Sequence, residues 1–336
     1  MKTFVKASLL VLILAGLLNS ATYAQQYLAG ASLNGKWGFI DSKGTWVIKP
    51  AYEDVRDFSE GLASAKEGDL CGFIAPSGEW VIKPGYKRAE DFSEGLARVR
   101  DEKTSKWLYI DKTGKQAFSQ EFEYCMNFSE GRAAARASSN WGYIDKSGKY
   151  VIPDKYDHAE TFSDGMGRVA LGKVYGFVSP SGEWALKTEM ENIRDMKEGL
   201  APAKGKDGWG YIDKTGKVIV PTYNEHAKNF SEGMGAVRMK GKWGYYDVNG
   251  KMVVRFTYEN CRDFSGGMAA VYDGKMWGYI DKTGNMVIHP QFDKALDFAD
   301  GLAPVKIGKA WGYIDKTGTK IIPVQFDDAL PFSRAD

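Results

Sequence analysis

Histidine and cysteine are scarce in this chain, three of each in 336 residues, and neither type is grouped. His158, His226 and His289 stand far apart, with no Ser–His–Asp, Cys–His or zinc-ligand spacing around them. That scarcity removes most nucleophilic and zinc chemistry. A basic surplus is missing too: 45 Lys and Arg against 43 Asp and Glu leave a formal charge of +2, and the two signs alternate along the chain. Proteins that bind nucleic acid carry a basic surplus or stripe, so no nucleic-acid partner is expected. Long apolar runs are absent as well. The longest, Ala7 to Leu18, falls well short of the ~20 residues of a spanning helix.

That short run has a different meaning. Lys2 and Lys6 precede it, and Thr22-Tyr23-Ala24 offers small residues for cleavage before Gln25. Residues 1–24 therefore read as a secretory signal peptide, and residues 25–336 as one exported domain, periplasmic or secreted. No cysteine lies near the cleavage point, so no lipid anchor is expected. Loss of Lys2 and Lys6 balances the remaining charge at 43 basic and 43 acidic residues.

What the chain does have is a repeat. A glycine closes the stretch Trp209-Gly210-Tyr211-Ile212-Asp213-Lys214-Thr215-Gly216, and it returns as Gly44, Gly78, Gly114, Gly148, Gly182, Gly250, Gly284 and Gly318. Every spacing is 34 residues except the 36 between Gly78 and Gly114. Nine copies at one period define a repeat architecture, in which each unit packs on its neighbours.

Within a unit, Leu200 to Lys204 alternates as a strand, Trp209 to Asp213 forms a second, and Lys217 to Val220 a third that Pro221 ends. Asp213-Lys214-Thr215-Gly216 is a turn, its aspartate bonding backbone N–H groups and its glycine supplying positive φ. Gly210, inside a strand, implies close approach of another backbone or ring. Between units, aromatic and small residues fall at spacing three, as in Tyr52, Val55 and Phe58, which predicts a short helical turn. The expected fold is all-β: nine tandem ~34-residue three-stranded antiparallel meanders. Tetratricopeptide repeats share the period, but their helix pairs do not fit units rich in turn glycines with apolar period two.

The sequence from Tyr27 aligns on a first strand and the chain ends one linker after the ninth meander. A closed propeller-like toroid is favoured, because it leaves few sheet edges exposed. The alternative is an open β superhelix or solenoid. Nine units exceed the usual propeller number of about four to eight blades.

The run Lys-Trp-Gly-Tyr-Ile-Asp-Lys-Thr-Gly, followed by a linker ending Phe-Ser-Glu-Gly, resembles the bacterial WG-repeat (KWG repeat) family over residues 27–336. The resemblance implies a β-rich repeat protein, often exported, without shared catalytic residues. Unit three departs from the pattern, with Trp107-Leu108 in place of Trp-Gly, extra residues near Thr104-Ser105, and Gln116 to Gln120 where the third strand belongs. Unit five carries Tyr175 for Trp, and Met190 and Met196 for the linker aromatics.

Position in the repeat also sorts the chemistry-bearing residues. Cys125 and Cys261 lie eleven residues after their glycines, where other units hold Val55, Ala89 or Ala159. Cys71 takes the Trp slot. All three read as buried free thiols. The acids before the linker glycines, such as Glu60, Glu94 and Asp300, are spread one or two per unit and read as turn caps, since Ca²⁺ needs six to eight convergent oxygens. No metal or cofactor is expected. Seven tryptophans in the Trp slot are core. Trp46, Trp80 and Trp184 share a slot that elsewhere holds Gln116, Tyr150, Val218 or Lys320, which implies partial exposure and makes them the candidate ligand surface. The function expected is an exported, monomeric scaffold that binds another protein. The alternative is a glycan or peptidoglycan binder using those three tryptophans. An enzyme, with a hydrolase-type site at the ring centre, has no constellation to support it.

Overall fold

The computed structural model describes residues 26–336; the signal peptide read over 1–24 lies outside the described residues. Among the described residues every regular element is a strand. They form seven four-stranded sheets and one six-stranded sheet, all antiparallel. The six-stranded sheet holds repeats two and three, because Trp80–Ala89 runs from one into the next. The nine repeats close into a propeller-like ring. Its seam is the pairing of Asp328–Arg334 with Tyr27–Leu33, Tyr27 opposite Arg334 and Ala31 opposite Ala329. The open superhelix is thereby excluded.

Two local readings need correction. The linker is a strand, not a helical turn, so a blade has four strands instead of three, blade three alone lacking its outer strand. In Asp54–Ser59, Val55 pairs with Ala65 and Phe58 with Ala63. Three residues on one strand oppose two on the other, which is a β-bulge. The bulge converts the strand's period of two into the observed spacing of three. Tyr52, the third member of the motif, ends the outer strand of the preceding blade. The proline does not end the third strand either: Val218–Asn224 runs through Pro221. It can do so because that strand is the sheet edge, where a missing N–H breaks no ladder.

The second bulge explains the glycine after tryptophan. Trp209 pairs with Asn224 and Tyr211 with Val220, so three residues of the outer strand, Pro221, Thr222 and Tyr223, lie opposite Gly210 alone. A Cβ on Gly210 would overlap the Val220 carbonyl oxygen and stand 2.5 Å from that of Pro221. Unit three tests the rule within the molecule. Leu108 occupies the glycine position, and there the outer strand is reduced to two isolated bridges, Ile110 with Gln116 and Trp107 with Phe122. The turn glycines behave as expected, with Gly216 at φ +86° and Asp213 accepting from the N–H of Thr215 and Lys217 at 2.8 and 3.0 Å.

The core is distributed over clusters that each span two neighbouring blades. At their centre an aromatic of the second strand, the one that carries the Trp slot, meets a linker phenylalanine of the next blade. Tyr211 and Phe230 lie 4.7 Å apart at 70°, Tyr245 and Phe264 5.0 Å apart at 71°, a geometry worth about 0.5–1.5 kcal/mol beyond burial. The tyrosine hydroxyl also donates to a carbonyl that the linker bulge leaves free, as Tyr211 does to Lys228 at 2.6 Å and Tyr313 to Leu330 at 2.9 Å. Linker strands touch each other too: Ser59 Oγ donates to Phe92 O, Ser93 to Phe128 and Ser231 to Phe264, each at 2.7 Å. These strands therefore line the ring axis, and the outer strands, with exposed Val47, Val81, Val151 and Val287, form its circumference.

Candidate binding face

The ring has two unlike faces. On one lie the Asp-Lys-Thr-Gly turns and the acid–glycine turns of the linkers. The acids there cap a turn, but of the next blade: Glu60 accepts from Gly95 N at 2.9 Å, Glu130 from Gly165 N at 2.9 Å, and Glu198 from Gly233 N at 2.7 Å. Lysines of the neighbouring turns reinforce them, Lys112 to Glu60 and Lys146 to Glu94, both at 3.3 Å. The acids hold φ near +54°, a backbone position that side chains rarely adopt. This face is nearly uniform from blade to blade; Ala75-Pro76 and Ser179-Pro180 replace the Asp-Lys pair in two turns, and Gly266 replaces the linker acid in one blade.

The opposite face is not. Two slots alternate around it at a spacing of 17 residues, half the repeat: the Trp slot, and the linker position ten residues after each turn glycine. From blade three the succession reads Trp107, Tyr124, Trp141, His158, with ring centroids 6.1, 5.8 and 5.8 Å apart. Farther round, His226 sits between Trp209 and Trp243 at 6.1 and 5.5 Å. Cations cover the tryptophans: Arg194 lies 4.9 Å from the Trp209 ring, Lys228 5.2 Å from Trp243, Arg136 5.5 Å from Trp141 and Lys306 5.9 Å from Trp311. Burial lowers the His226 pKa, and the charges of Arg194 and Lys228 lower it further, which favours the neutral imidazole. His226 is half-buried between two indoles.

The clefts of this face open between successive slots. One of about 360 Å³ is lined by Asp54, Arg56, Lys66, Cys71, Arg88 and Glu90. Another of about 330 Å³ lies over Asn260, Cys261, Trp277 and Asp297. Sequence reading passed this face by. The signal that carries it is the 17-residue half-period, invisible when each unit is read separately.

The candidates singled out earlier lie elsewhere. Trp46, Trp80 and Trp184 open the outer strands of three separate blades and are half-buried. Each stands edge-on to an aromatic of the preceding blade, Trp46 to Phe326 at 5.5 Å, Trp80 to Tyr52 at 5.5 Å and Trp184 to Tyr156 at 6.1 Å. Of the Trp-slot residues, Trp107, Trp141, Trp243 and Trp311 are buried, while Trp37, Trp209 and Trp277 are partly covered. The three cysteines are free. Burial pushes Cys125 up to about 12 and Cys261 up to about 11. Cys71, by contrast, is only half-buried, because it lies at the bottom of a cleft. Among the described residues, no three His, Cys, Asp or Glu side chains are grouped to hold a metal ion.

Ring closure, four-stranded blades and blade-to-blade cores define a repeat β-propeller. The chain belongs to the WG-repeat family: the model of the WG containing repeat matches nine times, from 37–71 through 209–243 to 311–334. A comparison with curated proteins finds no match. Among solved structures, a eukaryotic initiation factor is similar in fold, with a TM-score of 0.68 at 9% identity over 93% of this chain and 99% of that one. Hsv2 of Kluyveromyces lactis gives a TM-score of 0.44 at 8% identity over 82% of this chain and 98% of its own.

Proposed function

We propose that this protein is an exported binding scaffold and that its partner is another protein, held on the face where the two slots alternate. One observation carries the reading. The turn face repeats nearly the same residues in every blade, whereas the linker slot of the other face holds Asp54, Arg88, Tyr124, His158, Asn192, His226, Asn260, Lys294 and Asp328 in succession. A scaffold that keeps its fold-forming residues constant and varies one rim presents an asymmetric surface, and selective recognition needs such a surface. Conserved geometry comes from the repeat, and selectivity from the slots. This reading gives the protein no reaction of its own.

The test is site-specific photo-cross-linking in the native host. A photoreactive residue at Tyr124, which is 41% exposed, should give a discrete protein adduct, and one at Thr215 on the turn face should not. Adducts from both positions, or from neither, would remove the face assignment. Binding on a glycan array that is lost in a Trp46, Trp80 and Trp184 triple-alanine variant would transfer the function to the glycan reading. Export is tested by fractionating cells that express the chain with and without residues 1–24.

A further inference from the structure

Blade two breaks the alternation of this face. Its Trp slot holds Cys71, flanked by Asp54 and Arg88, so three successive slots carry no aromatic ring. The 360 Å³ cleft stands over this gap.

What surrounds the gap has not changed with it. Apart from Arg98, which covers Trp107 at 4.9 Å from nine residues before it, the cations that cover the indole elsewhere come from two places. One is fifteen residues before the tryptophan, as Arg194 is to Trp209 and Lys228 to Trp243; the other is five before, as Arg136 is to Trp141 and Lys306 to Trp311. In blade two those places are Arg56 and Lys66, and both line the cleft. Val55 and Ala89 supply apolar wall beside the Cys71 thiol. The framework that packs an indole in other blades is therefore complete, and the ring alone is missing. Arg56 is fixed in place by Asp91 at 2.7 Å and Glu90 at 3.1 Å, which pre-organises that side of the frame. Lys66, Lys87 and Arg88 make no ion pair among the described residues, and the last two are exposed at the mouth. Asp54 is the one carboxylate there not matched to a cation.

We infer that the Cys71 cleft is a receptor for an aromatic side chain of the partner protein, tryptophan above all, presented by an acidic segment. The assignment rests on the protein-partner reading above and names the anchor of that partner. The indole takes the place that the chain's own tryptophan fills in other blades, with Arg56 and Lys66 along its faces, where cation–π contacts form. Flanking carboxylates of the partner meet Lys87 and Arg88. Aromatic anchors in desolvated pockets carry a disproportionate share of interface energy, so one ring is enough to fix the register of the docked segment.

The thiol at the base of the cleft reports on occupancy. The full chain is alkylated with iodoacetamide at mildly alkaline pH and modification of Cys71 is followed by peptide mapping, Cys125 and Cys261 being buried. Three probes are compared: an acidic pentapeptide with central tryptophan, the same peptide with central alanine, and adenosine monophosphate. The tryptophan peptide should slow alkylation by about fivefold at four times its Kd, since the rate follows the unoccupied fraction. The alanine peptide should leave the rate within about twofold at the same concentration. A Lys66→Ala, Arg88→Ala double variant should require several-fold more tryptophan peptide for the same protection. Cys71→Trp restores the indole found in other blades; it should keep or raise the melting temperature and abolish calorimetric binding of the tryptophan peptide. Equal protection by the alanine peptide, protection by the nucleotide at lower concentration than by the tryptophan peptide, or undiminished binding to Cys71→Trp would each overturn the assignment. The Tyr124 cross-link separates the two levels. A persisting adduct with no peptide protection defeats only the aromatic receptor, whereas absence of the adduct removes the face on which the protein-partner reading places its partner.

Discussion

Gly210→Ala is the smallest change that should damage a blade. The glycine lies under the bulge of the outer strand, and a methyl group there meets backbone only: the Val220 oxygen, the Pro221 oxygen at 2.5 Å and the Pro221 carbon at 2.7 Å. No side-chain rotamer can relieve this, so the outer strand must move. Overpacking of that kind costs about 1–3 kcal/mol. Displacing the strand also weakens the pairing of Tyr211 with Val220 and Ile212 with Val218, at ~1 kcal/mol for each net hydrogen bond. We expect a loss of about 3 kcal/mol in total. Gly216→Ala is the control. Its φ of +86° makes a side chain unfavourable, but the nearest atom is the Leu186 Cδ1 at 3.1 Å, which can give way. Its cost is about 1–2 kcal/mol. Thermal melts should then drop by roughly 6–12 °C for Gly210→Ala and by about one to two thirds of that for Gly216→Ala, at the ~2–4 °C per kcal/mol of larger domains. Amide exchange should quicken across Val218–Asn224 first, mimicking the degenerate outer strand beside Leu108. If Gly210→Ala melts with the unmodified chain, or above Gly216→Ala, the bulge does not explain the glycine.

Three further outcomes follow from the same geometry. Burial pushes the Asp57 carboxyl up to about 6, with Asp91 adding to the effect, and one of its oxygens has no hydrogen-bond partner. An acid whose folded pKa exceeds its unfolded value, ~3.9, favours folding at low pH, and that advantage disappears as the pH rises from about 4 through 6. Asp57→Asn should therefore be more stable than the parent at pH 8 by roughly 2–3 kcal/mol and no more stable at pH 4; urea midpoints at both values decide it, and equal midpoints at pH 8 would refute it. An aromatic disulfide reagent should count one reactive thiol in the native chain, Cys71, and three in denaturant; fewer than three would reveal a disulfide that the free cysteines of the structure rule out. Deleting residues 328–336 removes the strand that pairs with Tyr27–Leu33 and closes the ring; small-angle scattering should then show a larger radius of gyration and melts should lose cooperativity, whereas an unchanged profile would argue against closure as a source of stability.

The sequence by itself determined the period, the all-β class and the turn chemistry, because each depends on local constraints that repeat nine times. Positive φ at Gly216 and the capping by Asp213 are decided within four residues, and any chain with those residues meets the same backbone sterics. The glycine after tryptophan was legible as a close approach, although not what approached it. Tertiary structure decided what depends on neighbours. The linker's spacing of three was compatible with a helical turn until its pairing with the next strand showed a bulge, and only that pairing distinguishes the two. The carboxylate of Glu60 was recognisable as a cap, but its partner is Gly95, one blade away, a distance along the chain at which no local pattern operates. Ring closure likewise required the pairing of Tyr27 with Arg334. The variable face was the least legible, since residues 17 apart become neighbours only when blades stack radially. Cys71 illustrates the difference: in the sequence it is one small residue in a slot for a large one, and in the ring it is an opening between two cations.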